Sequence, residues 1–151
     1  GVMLSGIKGT GKTVMAKVIA KNSNLPIIVV DEDYPTGRIN DFFRKFETPV
    51  TIIFDEVDTG VSGDIADKMG DIMQELGTKM QVFAITHLPQ IAAKGQAHYF
   101  VYKKDTKDRT LTRIKQLEGE ERVNEVARML SGASLTEASL ANAKDLLGIK
   151  D

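Results

Sequence analysis

Eight residues near the amino terminus carry the most specific chemistry in the chain. Gly6-Ile7-Lys8-Gly9-Thr10-Gly11-Lys12-Thr13 fits the spacing G-x-x-x-x-G-K-[ST] without a mismatch. The glycines let the backbone turn tightly, so that several N–H groups converge on one phosphate. A helix starting near Lys12 adds the positive end of its dipole. Lys12 is then placed to bridge β- and γ-phosphates, and the Thr13 hydroxyl to ligate Mg²⁺. An apolar stretch precedes the loop and an amphipathic one follows, the context this motif requires. The expected ligands are ATP and Mg²⁺, with Gly6 to Thr13 and the following Val14 forming the cradle.

A second group supplies carboxylates. Thr51-Ile52-Ile53-Phe54-Asp55-Glu56 is a mostly apolar run ending in two acids, the pattern of a Walker B strand. Asp55 would hold Mg²⁺ through water, and Glu56 would act as the base for an attacking water. An adjacent Asp-Glu pair favours hydrolysis over transfer to a substrate hydroxyl. Ile27-Ile28-Val29-Val30-Asp31-Glu32-Asp33 is a rival apolar run ending in acids. Asp31 and Asp33 could ligate a small kinase substrate, or simply solvate the loop after a strand. Ala84-Ile85-Thr86-His87 ends another apolar run, and either polar residue could sense the γ-phosphate. His87 is a candidate catalytic group alongside Glu56 and Lys12. With His98 as the only other histidine, a zinc site has little support.

These groups need a scaffold that brings strand ends to one edge. Apolar runs alternate with helical patterns, which predicts an α/β fold of three layers around a mostly parallel sheet. Strands are expected over 2–5, 25–30, 50–54 and 81–86, and helices over 12–21, 36–46 and 88–94. Ile65, Met69, Ile72, Met73 and Leu76 predict one buried helical face, ended by Gly77. Residues 99–103 and 110–116 read as an antiparallel hairpin extending a five-stranded sheet. Val123, Val126, Ala127 and Leu130 mark a helix. Ser134 and Glu137 form a capping box for a last helix, which Gly148 closes. The strand order is not readable.

The 151 residues suit a single domain with a sizeable core, and 42% hydrophobic content argues against disorder. A net charge of −1 provides no global attraction to nucleic acid or anionic membranes. The absence of cysteine excludes disulfides and thiol nucleophiles within the chain. No apolar run reaches membrane-span length, and no leader pattern is present, so a cytoplasmic location is expected. Gly1 falls inside a strand pattern, as in a trimmed fragment.

Phe54-Asp55-Glu56-Val57-Asp58-Thr59-Gly60-Val61-Ser62-Gly63 resembles the Walker B and D-loop of RecN, a family of bacterial SMC-like DNA-repair ATPases. Ile85-Thr86-His87-Leu88-Pro89-Gln90-Ile91-Ala92 resembles that family's H-loop, and residues 121–132 resemble its C-terminal helix. This likeness implies that Asp55 binds magnesium, Glu56 is the catalytic base and His87 lies near the γ-phosphate. It further implies that Asp58 and Ser62 lie in a loop that meets an opposite protomer, a route to self-association. Residues 1–58 instead resemble the start of a phage-type AAA+ ATPase. The two likenesses meet at Asp55-Glu56-Val57-Asp58, and a chimera, engineered or recombined, reconciles them.

Both families complete their sites with a group from a neighbouring subunit. No signature motif precedes Asp55. Leu130-Ser131-Gly132-Ala133 resembles a fragment of one but follows the H-loop. None of Arg38, Arg44, Arg109, Arg113, Arg122 and Arg128 is assignable as a finger, and each reads as a surface or ion-pair residue. Nucleotide binding with slow turnover is therefore expected. Lys103, Lys104, Lys107, Arg109, Arg113 and Lys115 crowd the hairpin, but Asp105 and Asp108 dilute them, so DNA binding by this chain alone is not expected.

Overall fold

The computed structural model describes residues 1–34, 49–132 and 134–149. Its elements run β1 (Val2–Ser5), α1 (Lys12–Lys21), β2 (Ile27–Val30), β3 (Thr51–Asp55), α2 (Gly63–Leu76), β4 (Gln81–Ile85) and α3 (Pro89–Ala93). There follow β5 (Ala97–Asp105), β6 (Thr110–Leu117), α4 (Gly119–Ser131) and α5 (Glu137–Leu146). The helix expected over 36–46 lies outside the described residues, as do Arg38 and Arg44.

The strands form one sheet in the order β2-β3-β4-β1-β5-β6. The first five are parallel, and β6 alone runs antiparallel, against β5. The hairpin is thus continuous with the sheet, because β5 pairs directly with β1. Its strands also extend beyond the expected bounds, pairing from His98↔Leu117 out to Asp105↔Thr110.

Alternation along each strand divides the core into two faces. Leu4, Ile53, Phe83 and Val101 meet Ala16 and Ala20 of α1 on one face. Met3, Ile52, Val82 and Ala84 meet Met73 of α2 and Ile91 of α3 on the other. Small alanines in α1 let that helix lie close over the strands. Helices α4 and α5 pack together through Val123, Val126, Ala127 and Ala143. The arrangement is the α/β, three-layer, mostly parallel architecture of a P-loop NTPase, with a C-terminal hairpin and two helices.

Two local expectations are corrected. Helix α2 buries Ala66, Gly70 and Met73, with Met69 and Leu76 partly covered, whereas Ile65 and Ile72 are 64% and 57% exposed. The choice is steric: a Cβ at Gly70 would lie 2.9 Å from the Lys94 side chain and 3.5 Å from Ile91, so α3 packs close against its small-residue face. The last helix is capped by Thr136, not Ser134. Its hydroxyl accepts the Ser139 N–H at 3.1 Å, and the Ser139 hydroxyl accepts the Thr136 N–H at 3.0 Å. Glu137 then occupies the first helical turn, where a negative charge meets the helix dipole.

Candidate phosphate-binding site

The sheet register delivers the site. Leu4 of β1 pairs with Ile85 of β4, and Ile85 pairs with Asp55 of β3, so three carboxyl ends form one row. The chain leaving β1 passes through Gly6 at φ 138°, a conformation that L side chains rarely adopt. A Cβ there would sit 2.1 Å from the Val101 carbonyl oxygen, so only glycine lets the loop turn away against β5. The loop then enters α1 through Gly11, whose φ is 89° and which provides no side-chain cap. The first N–H groups of α1 therefore remain available for an anion.

The loop faces a cavity of about 580 Å³ lined by Lys8, Gly9, Gly11, Lys12, Thr13, Val14, Asp31, Glu32, Asp55, Glu56 and Thr59. The Thr13 hydroxyl donates to Asp55 Oδ1 at 2.9 Å. A hydroxyl and a carboxylate side by side suit a hard, oxygen-seeking cation that a phosphate would help to hold. Among the described residues, no group of three or more His, Cys, Asp and Glu could hold a metal by itself.

Lys12 is 7% exposed and folded back on its own loop. Its Nζ donates to the Gly6 carbonyl at 3.0 Å and the Ile7 carbonyl at 3.4 Å, and lies 3.6 Å from Glu56 Oε1. Glu56 itself has a φ of 51°, a left-handed conformation unusual for a non-glycine residue. Its N–H donates to the Ile85 carbonyl at 3.0 Å, and its carbonyl accepts the Thr59 hydroxyl at 2.9 Å. The carboxylate is thus presented to the cavity by a backbone held at both ends.

Lys12, Thr13, Asp55 and Glu56 are brought together, as their motifs imply. Gly6, Ile7 and Thr10 belong to the same loop but face a second side of it: Ile7 and Thr10 line a smaller cavity against β5. His87 does not line the cavity that Lys12, Thr13 and Asp55 share. It lines a neighbouring one with Ser5, Gly6, Ile7, Phe100, Glu125 and Arg128. Of the two candidate sensors, Thr86 is buried and its hydroxyl is engaged by Asp58 and by the Leu88 N–H, which leaves His87 as the exposed one. Asp31 reaches the cavity rim with Glu32, but Asp33 does not, so the Asp31/Asp33 pair is not presented together.

Beneath the loop lies a polar network that motif reading missed. Ser5 Oγ donates to Glu125 Oε1 at 3.0 Å and contacts His98 Nε2 at 2.9 Å. With the Ser5 O–H donated to Glu125, the histidine N–H sits on Nε2 and donates to Ser5 Oγ, and the buried Nδ1 has no partner among the described residues. Burial first, and the neighbouring Arg122 charge second, push the His98 pKa down to about 4. Arg122 is not a surface ion-pair residue: its NH2 group donates to the Ala93 and Gly95 carbonyls at 3.1 and 2.6 Å. The ordinary histidine pKa is 6.5, so an unfolded chain takes up this proton at higher pH than the folded one does. Stability should then fall as pH drops from 6.5 through about 4, by about 3 kcal/mol over the full window. Urea midpoints against pH should show a slope in the native chain that His98→Gln flattens.

Residues 2–96 match the family model described as "ATPase family associated with various cellular activities (AAA)". The chain is also similar to the DNA repair protein RecN of Vibrio cholerae, 45% identical over 104 residues, or 69% of this chain and 19% of that protein. RecN of Bacillus subtilis is 40% identical over 109 residues, 72% of this chain and 19% of that protein. RecN of Rickettsia typhi is 37% identical over 133 residues, 83% of this chain and 24% of that protein. The chain thus spans about a fifth of the length of the curated relatives it matches. Among the described residues, no helix is long and apolar enough to cross a membrane.

Proposed function

The chain belongs to the AAA family of ATPases, and we propose that it binds ATP with Mg²⁺ at the P-loop and hydrolyses it slowly to ADP and phosphate. The observation that carries this reading is the convergence of Lys12 and Thr13 from the start of α1, and of Asp55 and Glu56 from the carboxyl end of β3, on one cavity. The loop N–H groups and Lys12 would bind the phosphates, with Lys12 exchanging the Gly6 and Ile7 carbonyls for phosphate oxygens. Thr13 and Asp55 would hold Mg²⁺, which when bound neutralises phosphate charge. Glu56 would accept the proton of the attacking water. His87 would hydrogen-bond the γ-phosphate or that water from the end of β4.

Slow turnover follows from the cations in reach. Among the described residues, Lys8 and Lys12 are the basic residues in the cavity lining. Transition-state charge in this class is commonly met by one more group from a neighbour. We propose that the exposed turn after Asp58, including Ser62, is the surface where a second subunit would approach. A join of two P-loop lineages near residues 50–58 is our account of the double likeness. Titration of the chain with ATP in a calorimeter, with and without Mg²⁺, tests the central reading. Saturable binding supports it, and an absence of heat at millimolar ATP overturns it.

The DNA-repair role named in its relatives supports a second reading, as a module that acts on DNA with partners. In the hairpin register, Tyr102 is opposite Arg113 and Phe100 is opposite Lys115, and the two rings stack at 5.9 Å. Aromatic rings beside cations suit single-stranded nucleic acid. Against this, Lys115 is already paired with Glu121. This second reading requires oligonucleotide binding that weakens with rising salt, measured by fluorescence anisotropy, and an unchanged anisotropy at low salt overturns it for the chain alone.

A further inference from the structure

The turn after β3 holds a carboxylate that the phosphate chemistry leaves unused. Asp58 is 1% exposed. Its Oδ2 accepts the Thr86 hydroxyl, whose oxygen in turn accepts the Leu88 N–H at 3.0 Å. Its Oδ1 is equally buried but has no hydrogen-bond partner among the described residues. Leaving a buried carboxylate oxygen without a donor is costly, so a donor within reach has a strong claim on it. That donor is the His87 ring, with Nδ1 3.8 Å from Oδ1. The His87 side chain is 62% exposed, free to turn the roughly 1 Å that separates this contact from a hydrogen bond.

We propose that Asp58 is the positioning residue for His87, taking the Nδ1–H on Oδ1 and leaving Nε2 as a bare acceptor beside the P-loop. This rests on the reading of His87 as the group that meets the γ-phosphate or the attacking water, and it chooses between the two. A phosphate oxygen only accepts, so it requires an N–H. A bare Nε2 only accepts, so its partner is a water O–H. An exposed imidazole in water favours the opposite tautomer, with its proton on Nε2, so the arrangement must be imposed by a neighbour. Asp58 can impose it because its other oxygen is anchored at the end of β4, beside His87. The same turn carries Glu56, whose N–H is tied to Ile85 of that strand. Base and histidine are thus fixed to each other through one short segment.

The test is the ¹⁵N spectrum of the His87 ring at pH 8, in the nucleotide-free chain and in Asp58→Asn. The asparagine carbonyl can keep the Thr86 bond while its amide donates to Nδ1, which forces the ring proton to Nε2. The native chain should show a protonated Nδ1 and a bare Nε2, and the variant the reverse. A native ring protonated on Nε2, or a pattern unchanged by the substitution, overturns the proposal. Backbone amide spectra establish that the variant is folded, and Asp58→Glu should retain the native pattern in part. In turnover assays, kcat should fall about 10- to 100-fold in Asp58→Asn with nucleotide affinity unchanged. The double variant with His87→Ala should be no slower than His87→Ala alone. If the chain binds no nucleotide, the ATPase reading fails, while the ring spectrum still decides the role of Asp58.

Discussion

Replacing Lys12 with alanine should reduce ATP affinity by about 30- to 1000-fold, about 2–4 kcal/mol, reflecting lost charge-assisted bonds to phosphate. The Lys12 ammonium is the most deeply placed cation of the cavity, buried under the loop and oriented by the Gly6 and Ile7 carbonyls. Removing it has a second effect. Glu56 Oε1 lies 3.6 Å from Nζ, so the variant presents an uncompensated carboxylate to an incoming polyanion. The loss should therefore exceed that from removing Lys8, which is exposed on the same loop. Isothermal titration with ATP and Mg²⁺ measures both variants. Equal affinity for the native chain and Lys12→Ala would mean that the nucleotide is held elsewhere. Thermal unfolding should change little in ligand-free Lys12→Ala, because among the described residues the lysine bonds to its own loop and to the partly solvated Glu56 side chain.

How far the chain could be read without coordinates depended on the range of the interaction. The P-loop and the β3 acids are local patterns, since the turn, the helix start and the strand end that create them lie within a few residues. β2 and β3 were legible as apolar runs for the same reason. The strand order was not, because nothing in the sequence of β4 says that it inserts between β1 and β3. Local patterns also misled where two solutions compete. Ile65 and Ile72 fit a helical stripe, yet α3 selects the neighbouring Ala66-Gly70-Met73 face, which a smaller surface lets it approach. Ser134 and Glu137 fit a capping spacing, but Thr136 and Ser139 fit it too and satisfy each other's amides.

The candidate site shows the same division. Lys12, Thr13, Asp55 and Glu56 were found because each belongs to a motif. Ser5, His98 and Glu125 were not, because their contacts join residues 93 and 120 positions apart in sequence. A serine just before a P-loop, a histidine in a strand and a glutamate on an apolar helix face each look ordinary alone. The third of these was the nearest to a usable signal, since Glu125 sits between Asn124 and the buried Val126 and Ala127 on the inward face of α4. The likeness places Asp58 in a loop but says nothing of its side chain, which turns inward to Thr86 through a contact between residues 28 positions apart in sequence.

Glu56→Gln should separate binding from chemistry. The substitution keeps the size of the side chain, and the backbone that presents it is held by Ile85 and Thr59 rather than by the carboxylate. The fold and the φ of 51° should therefore survive. What is lost is the proton acceptor of the motif that is not engaged with Thr13, and positioned bases of this kind contribute about 100- to 10,000-fold in rate. The slow hydrolysis proposed above should fall at least about 100-fold, to the background of the assay. Binding should move the other way. Glutamine removes a negative charge from the cavity wall and releases Lys12 from the 3.6 Å contact, so the ammonium turns to phosphate at less cost. Affinity for ATP should rise, and more for ATP than for ADP, because the γ-phosphate is the group that the carboxylate repels. Phosphate release under single-turnover conditions, run beside calorimetry with both nucleotides, reads the two effects separately. Unchanged turnover in Glu56→Gln would remove this residue from the chemistry and pass the role of base to Asp31 or Glu32, the remaining carboxylates of the cavity rim among the described residues apart from the Asp55 that faces Thr13.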